Sequence, residues 1–253
     1  MPKTVIAVLN QKGGVGKTTT TINVAAYLAR AQKSVLICDM DPQGNTTSGL
    51  GVDKNDLDAT LYDVLFSRAE ANKVIRKLDK QGLFLLPSNA QLAGAEVELV
   101  NSDKREFQLK RVLADLDYDY IFIDCPPSLG LLTINALAAA DYVLIPVQAE
   151  YYALEGLSQL LSVVQQVRKT LNTSLNILGV VVTLYDSRTS LSEQVKKELE
   201  KYFGEKVFTT VIPRNVKLAE APSFGRTIME HDKWSKGARA YKAMAKELEK
   251  RLI

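Results

Sequence analysis

The feature that most constrains this chain is a glycine-rich stretch, Gln11–Thr20, which follows an apolar run and precedes a helical pattern. A strand, a glycine loop and a helix in that order are the context that a phosphate-binding loop requires. Glycines let successive backbone N–H groups converge on one anion, and the next helix adds the positive end of its dipole. In this pattern Lys17 is predicted to contact the β- and γ-phosphates of a nucleotide, and the Thr18 hydroxyl to hold Mg²⁺.

The loop departs from the general pattern G-x-x-x-x-G-K-[ST] at its first position. Gln11 stands where the first glycine belongs, and the next residue is a second lysine, Lys12. The general pattern assigns no role to a lysine at this point. The departure is therefore the most informative detail of the loop, and its meaning depends on the rest of the chain.

Alternating patterns along the chain predict an α/β fold of the P-loop NTPase type. Apolar runs alternate with helical patterns from Thr4 onward, which favours a doubly wound, mostly parallel, twisted sheet with helices on both faces. The predicted strands are 4–9, 34–38, 83–87, 118–124, 142–146, 177–183 and 206–212. The predicted helices are 18–30, 90–100, 104–116, 129–139, 152–169, 190–203 and 235–252. We expect a single domain over residues 1–253.

Composition narrows the class of protein without identifying it. A net charge of +3 among 253 residues does not by itself indicate a nucleic-acid partner, so any such surface would be a local patch. No apolar stretch approaches the roughly 20 residues that span a bilayer, and we expect a cytoplasmic protein. The two cysteines, Cys38 and Cys125, are far apart and end apolar runs, which predicts buried free thiols.

Acidic residues follow two of the predicted strands. Asp39 and Asp41 come directly after 34–38, and Asp124 ends the apolar run at 118–124. The carboxyl ends of parallel strands meet at the edge where the phosphate loop lies. Asp124 is thus predicted to contact Mg²⁺ through water. For Asp39 and Asp41, a plain turn with capping aspartates explains the pattern equally well.

The last predicted helix carries a basic face. At about 100° per residue, five basic side chains fall within an arc of about 120° opposite an apolar side. These are Lys236, Arg239, Lys242, Lys246 and Lys250. A solvated surface helix and a footprint on a phosphate backbone both fit this pattern. A membrane-surface helix fits less well because the apolar side lacks Phe and Trp.

Taken together, these motifs resemble the ParA family of partition ATPases, and most closely its chromosomal Soj type. This class has a deviant phosphate loop and also includes MinD. The matching stretches are Lys12–Thr19, Asp39–Asn45, Ile123–Pro127, Glu150–Gly156 and Ile212–Leu218. The resemblance runs from Thr4 to the last helix, and the combination of motifs is far more specific than the loop alone.

The resemblance implies an ATPase that uses ATP and Mg²⁺ and closes around nucleotide as a homodimer. Lys12 would be the signature lysine that reaches the partner subunit's phosphates, and Asp41 the residue that orients the attacking water. Asp39 would support the metal site without binding the metal itself, while Pro213 and Asn215 would contact adenine. Catalysis would rest on Lys12, Lys17 and Asp41. The implied nucleotide-binding loop is Lys12, Gly13, Gly14, Val15, Gly16, Lys17, Thr18 and Thr19.

Two partners are implied as well. The family is known for nonspecific binding of double-stranded DNA by the dimer, and a ParB-type centromere-binding protein stimulates its slow hydrolysis. Arg188 and Lys217 match positions implicated in DNA binding, although Lys217 stands where an arginine is common, so bidentate geometry is lost. A nucleoid-associated protein is the resulting expectation, with no membrane partner.

Three other functions share some of these features. A MinD-like membrane-surface ATPase that regulates division-site placement would need an amphipathic C-terminal anchor, which 248–253 supplies poorly. An iron–sulfur reductase would need cysteines in loops at a dimer interface. A small-molecule kinase or ligase would need a dedicated acceptor pocket, which the sequence does not indicate.

Overall fold

The computed structural model describes residues 3–78, 82–150 and 155–252. Within this part of the chain, seven strands form one sheet in the order β3-β4-β2-β5-β1-β6-β7. The strands are β1 Thr4–Val8, β2 Val35–Asp39, β3 Arg76–Lys77, β4 Leu83–Leu86, β5 Tyr120–Asp124, β6 Tyr142–Gln148 and β7 Asn176–Thr183. All neighbours pair in parallel except β3 with β4. The predicted fold class is confirmed.

The α-helices of the described residues connect these strands. They are α1 Lys17–Arg30, α2 Asn45–Gly49, α3 Leu61–Leu65, α4 Ala71–Val74, α5 Ala95–Glu98, α6 Gln108–Ala114, α7 Leu131–Ala139, α8 Glu155–Thr170, α9 Ser190–Phe203, α10 Val216–Glu220, α11 Ile228–His231 and α12 Lys236–Leu252. The predicted helices at 18–30, 190–203 and 235–252 agree with α1, α9 and α12. Residues 151–154, within the stretch Glu150–Gly156, lie outside the described residues.

Apolar side chains fill both faces of the sheet. Along β1 and the next residue, Val5, Ala7 and Leu9 join one buried cluster, whereas Ile6 and Val8 join the other. This alternation is the two-residue period of a strand that is covered on both sides. Helices α3 and α6 to α9 cover the first face, and α1 with α10 to α12 covers the second. Packing on both faces therefore holds the carboxyl edge of the sheet in a fixed position.

The predicted strand at 206–212 is wrong. This segment makes one isolated bridge, between Val207 and Val180, and touches the edge strand β7 again where Ile212 N donates to Val182 O at 2.8 Å. Between those points the amides of Thr209 and Thr210 donate to the Glu247 carboxylate of α12, at 2.8 and 2.9 Å. Since these amides are directed to a side chain, no continuous ladder forms.

A contact between two glycines joins the loop after α2 to the segment before α11. A Cβ built on Gly225 would lie 2.6 Å from the Cα of Gly51, which is closer than real Cβ contacts. Both glycines have positive φ, +84° for Gly51 and +61° for Gly225. Side chains are thus excluded here both by the backbone conformation and by the neighbouring chain.

This contact predicts a difference between two alanine substitutions. Gly225→Ala introduces left-handed strain of about 1–2 kcal/mol and a clash worth about 1–3 kcal/mol more. Gly16→Ala, measured without nucleotide, is the matched control, because Gly16 is also left-handed, with φ +86° and ψ +27°, but its Cβ position lies 3.8 Å from the nearest neighbouring atom. Urea unfolding followed by circular dichroism should show the larger loss for Gly225→Ala. Equal losses would mean that the glycine contact is not tight.

Candidate nucleotide-binding site

The glycine loop is anchored at its base by a buried asparagine. Asn10 Nδ2 donates to Pro146 O at 2.7 Å, and its Oδ1 accepts from Lys12 N at 3.0 Å. Further along the loop, Thr183 Oγ1 donates to Val15 O at 2.7 Å. The loop is therefore held by the ends of β6 and β7, one strand and two strands away from the β1 that precedes it.

Left-handed glycine at the end of the loop sets the start of α1. Gly16 has a φ of +86° and is the residue before the helix, whose first residue is Lys17. This conformation is open to glycine and strained for other residues. It directs the first N–H groups of the 14-residue helix α1 toward the loop, where they are available to an anion.

Lys17 lies inside this loop rather than on the surface. Its side chain is mostly enclosed, with 7% of the residue exposed, and Nζ donates to Lys12 O at 3.3 Å. Burial lowers the pKa of the Lys17 ammonium, while the nearby Asp124 and Asp41 carboxylates act in the opposite direction. The structure thus places a positive charge where the sequence predicts a phosphate contact.

Asp124 lies at the end of β5 and is fully buried. Its Oδ2 accepts two hydroxyl hydrogen bonds of 2.7 Å, one from Thr18 Oγ1 and one from Thr46 Oγ1. Burial raises the pKa of Asp124 to about 6. The two hydroxyl donors and the Lys17 ammonium stabilise the charged carboxylate and so act in the opposite direction. Thr18 and Asp124, the two predicted metal-side residues, are therefore in direct contact.

Asp39 lies beside Asp124 because β2 and β5 pair with these two residues in register. Its Oδ2 accepts from Thr47 N at 2.8 Å and from Thr47 Oγ1 at 2.7 Å. Burial, and to a lesser extent the charge of Asp124, raise the pKa of Asp39 to about 7. Asp39 does not line the cavity of the loop, which agrees with the predicted supporting position.

Asp41 faces the open part of the site. Its Oδ1 accepts from Gln43 N at 2.9 Å, which holds the turn after β2. It lines a cavity of about 260 Å³ beside the glycine loop. The other lining residues are Gly13, Gly14, Gly16, Lys17, Thr18, Thr19, Gln43, Asn45 and Pro127. Asp41 therefore both holds this turn and borders the cavity beside Lys17, and its role in hydrolysis stays a prediction.

The oxygen groups at this edge fit Mg²⁺ rather than a softer metal. A threonine hydroxyl next to one carboxylate, with phosphate and water completing the set, is the type of site that Mg²⁺ occupies. Among the described residues, no cluster of three His, Cys, Asp or Glu side chains is arranged to hold a metal. Cys38 and Cys125 are buried, and burial raises the pKa of both thiols, so they are poorly suited to ligate an iron–sulfur cluster.

Lys12 points away from the phosphate side of its own loop. Its Nζ lies 2.6 Å from Glu150 Oε2, just after β6, and both side chains are more than 40% exposed. Gln148 Nε2 donates to the other oxygen of Glu150. Lys12 and Lys17 are therefore separated in space: one ammonium is buried in the loop, and the other is paired at the surface.

The two predicted adenine contacts lie beside the end of β7. Pro213 forms a bridge with Tyr185, two residues beyond that strand. Asn215 Oδ1 is a buried acceptor for which the described residues provide no hydrogen-bond partner. An unsatisfied buried acceptor of this kind is uncommon in proteins, and a ligand amino group would satisfy it.

Known proteins with similar sequences identify the family of this chain. A family model described as an AAA domain matches residues 3–177. The chain is 56% identical to the sporulation initiation inhibitor protein Soj of Bacillus subtilis, over 96% of this chain and 97% of that protein. It is 52% identical to the chromosome-partitioning ATPase Soj of Treponema pallidum, over 98% and 97% of the two chains. The chain belongs to the Soj/ParA family.

A solved structure supports the same fold. It is described as cobyrinic acid a,c-diamide synthase from Mycobacterium smegmatis with a bound ATP analogue and magnesium. It superposes with a TM-score of 0.87 at 40% identity, and the match covers 99% of this chain and 96% of that one. The doubly wound sheet is therefore the architecture of this Soj/ParA chain and of a protein solved with nucleotide.

Two of the predicted DNA-binding residues of this Soj/ParA chain, Arg188 and Lys217, are exposed, and each forms an ion pair. Arg188 Nε and Nη2 donate to the two oxygens of Asp186 at 2.9 and 2.7 Å, and 85% of the Arg188 side chain is exposed. Lys217 Nζ lies 2.8 Å from Glu220 Oε2, which also contacts His231 Nε2 at 3.2 Å. Each pair is local, so each basic group is held close to its own loop.

These residues come from neighbouring parts of the surface. The loops of Arg188 and Lys217 are joined where Arg214 N donates to Tyr185 O at 3.0 Å. Lys236 follows closely, because Gly237 of α12 packs tightly against Leu218 of α10. We call Arg188, Lys217 and Lys236 the basic surface. The other four residues of the predicted basic face of α12 are also exposed, namely Arg239, Lys242, Lys246 and Lys250.

Several residues that contact the site were not predicted from the sequence, among them Thr46, Thr47 and Glu150. Thr46 and Thr47 on α2 donate to the two buried carboxylates, and Glu150 pairs with Lys12. The threonines follow the motif at Asp39–Asn45 directly, and their adjacency was the available signal. Nothing in the sequence links Glu150 to Lys12. A larger cleft of about 900 Å³ lies near α3, α4 and α6 and contains none of the predicted site residues.

The raised pKa of Asp39 predicts how stability depends on pH without Mg²⁺. The native carboxyl titrates near pH 7, whereas an unfolded aspartate titrates near pH ~3.9. Between these values the native state keeps a proton that the unfolded chain has lost, so stability falls as the pH rises from about 4 to about 7 and levels off above that. Thermal unfolding in EDTA should show this fall in the parent protein and a weaker one in Asp39→Asn. Parallel pH profiles for the two proteins would contradict the assignment.

Proposed function

We propose that this chain is an ATP-driven DNA-partition switch, formed by one domain over residues 1–253. It is a Soj/ParA-type ATPase that uses ATP and Mg²⁺. In the proposed cycle, ATP closes two copies into a dimer, the dimer binds double-stranded DNA without sequence preference, and hydrolysis releases it. A ParB-type centromere-binding protein stimulates hydrolysis, and the protein associates with the nucleoid.

The observation that carries this proposal is the position of Lys12. Lys17 already supplies the ammonium inside the loop, and Lys12 lies outside it on Glu150. An exposed ion pair of this kind contributes only about 0–1 kcal/mol, so Lys12 is readily transferred to another anion. A second subunit's phosphates are such an anion, and Lys12 would then act in trans as an arginine finger does.

Gly13 supports the same interpretation. Its backbone does not have a positive φ, and a Cβ built on it meets no atom of the described residues within 4 Å. Neither conformation nor packing within this chain therefore requires glycine at position 13. Close approach of a ligand or of a second loop would supply the reason.

Different residues around the cavity would have different roles in the proposed hydrolysis. Lys17 and the N–H groups at the start of α1 would hold the phosphates, and Thr18 with Asp124 would hold Mg²⁺, Asp124 through water. Bound Mg²⁺ would offset negative charge on the phosphates and on the buried carboxylates. Asp41, which borders the cavity as an acceptor, would orient the attacking water.

The base would be recognised beside β7. Asn215 Oδ1, which is buried and has no partner in the part of the chain that the structure describes, is an acceptor suited to the exocyclic amino group of adenine. Pro213, fixed by its bridge to Tyr185, would pack against the ring. This pair would favour adenine over guanine, which presents an acceptor at the corresponding ring position.

The basic surface is the proposed contact with DNA. A monomer with a net charge of +3 offers few phosphate contacts. A dimer doubles the number, and the slope of log affinity against log salt steepens by about 0.9 per contact. Phosphate oxygens would replace Asp186 and Glu220 as partners of Arg188 and Lys217, and the exposed face of α12 would extend the footprint.

A MinD-like membrane regulator is the alternative in the same structural class. It would need the apolar side of the last helix to enter a lipid surface. That side is occupied, because Tyr241, Met244 and Leu248 are buried and α12 packs against α1. Among the described residues, no helix is long and apolar enough to cross a membrane. We therefore favour DNA over lipid as the surface that is bound.

The proposal is tested by measuring DNA and lipid binding side by side. Co-sedimentation with nonspecific double-stranded DNA and flotation with anionic liposomes are run with ATP, ADP or no nucleotide. We expect binding to DNA with ATP only, and no flotation in any state. ATP-dependent flotation without DNA binding would establish the membrane alternative and end the partition proposal.

A charge reversal on the basic surface assigns that binding to residues. Arg188→Glu should weaken ATP-dependent DNA binding at least several-fold and leave ATP binding intact. Arg68→Glu is the matched control, since Arg68 is also exposed and paired, 2.8 Å from Glu98, near the opposite edge of the sheet. If the two variants lose the same affinity, the effect is one of net charge and Arg188 is not a specific contact.

Removing the Asp41 carboxylate separates hydrolysis from binding. Asp41→Ala should bind ATP and dimerise, while its turnover falls by about 10²-fold or more because the attacking water is no longer oriented. Phosphate release and light scattering measure the two properties, and DNA binding should persist with ATP. Turnover at the parental rate would return Asp41 to the role of a turn residue.

A further inference from the structure

The short helix α2 places a buried hydroxyl on the metal-side carboxylate. Thr46 is fully buried, and its Oγ1 donates to Asp124 Oδ2 at 2.7 Å. It does not line the cavity beside the glycine loop. Thr46 therefore contacts the site through Asp124 and does not border the cavity itself.

Two hydroxyls share the same carboxylate oxygen. Thr18 Oγ1 also donates to Asp124 Oδ2, at the same distance of 2.7 Å. The Thr18 oxygen is the one assigned to Mg²⁺, so its geometry must satisfy the metal as well as the carboxylate. Thr46 has no such second task, so its hydrogen bond holds Asp124 Oδ2 independently of the metal, while Thr21 Oγ1 lies 3.4 Å from the other oxygen.

Thr47, the next residue of α2, donates hydrogen bonds to the neighbouring carboxylate, that of Asp39. Thr47 donates both its N–H and its hydroxyl to Asp39, and its Oγ1 accepts from Ser88 N at 2.9 Å. Adjacent residues of one helical turn thus hold two carboxylates that are paired across β2 and β5. Because α2 follows Asp41 by four residues, it also fixes the far end of the loop that carries Asp41.

We propose that Thr46 is a positioning residue for Mg²⁺, which holds the Asp124 carboxylate in the orientation from which it would bind Mg²⁺ through water. The inference rests on the proposed role of Asp124. Partners that orient a metal-site group in this way typically change metal affinity 10–100-fold when they are removed.

The test is a magnesium titration of nucleotide binding rather than an activity assay. Binding of a fluorescent N-methylanthraniloyl-ADP is measured in EDTA and then at increasing Mg²⁺. Thr46→Val, which keeps the shape and removes the hydroxyl, should raise the Mg²⁺ concentration at half-saturation about 10-fold or more. Its nucleotide affinity in EDTA should remain that of the parent, and Thr46→Ser should restore the parental midpoint.

The matched control is Thr20→Val on α1. Thr20 is also fully buried, and its Oγ1 makes one hydrogen bond of 3.1 Å, to Tyr241 OH on α12 and not to a carboxylate. This variant loses a comparable buried hydrogen bond and should keep the parental Mg²⁺ midpoint. An equal shift in Thr20→Val and Thr46→Val would reduce the effect to general loosening and overturn the inference.

Two further variants keep the outcomes separate. Asp124→Asn should remove most of the Mg²⁺ dependence; if it does not, the assignment of Asp124 to the metal fails, and the role of Thr46 fails with it. If Asp124→Asn behaves as expected and Thr46→Val matches the parent, only the role of Thr46 is wrong. Should Thr46→Val not fold, Thr46→Ala is measured under the same two criteria.

Discussion

The nucleotide site depends on two carboxylates that lie side by side with little access to water. Asp39 and Asp124 end neighbouring parallel strands in register, and both are fully buried. Burial disfavours both charges, and repulsion from Asp124 at Asp39 and from Asp41 at Asp124 adds to it, so the pKa values of both carboxyls are raised. Everything around them supplies compensation: an ammonium from the glycine loop, hydroxyls from α1 and α2, and a place for a divalent cation. The carboxyl edge of the sheet is thus organised to tolerate negative charge.

This constraint explains why three separate segments converge at one edge. Lys17 and Thr18 come from the start of α1, Thr46 and Thr47 from α2, and the carboxylates from the strands themselves. Since a buried charge without partners is costly, none of these groups can be removed without affecting the others. A phosphate chain with its cation would enter an environment that already balances opposite charges.

Much of this arrangement could be predicted from local sequence, because local sequence determines it. The strand, glycine loop and helix at 4–30 are specified by residues within reach of one another, and so are the basic and apolar faces of α12. The predicted strand at 206–212 failed because Glu247, some forty residues later, takes two of its amides. The pairing of Lys12 with Glu150 is likewise set by the tertiary fold and leaves no signal in either local pattern.

The contact between Gly51 and Gly225 has a mechanical consequence. Where side chains meet, a small displacement of one segment is absorbed by a change of rotamer; two backbones in direct contact have no such freedom. Gly51 follows α2 by two residues, and Gly225 lies between α10 and α11. A shift of α2 toward this point would therefore displace the C-terminal segment directly, because no side chain lies between the two backbones to absorb it. The contact between Gly51 and Gly225 thus limits how closely the two segments can approach each other.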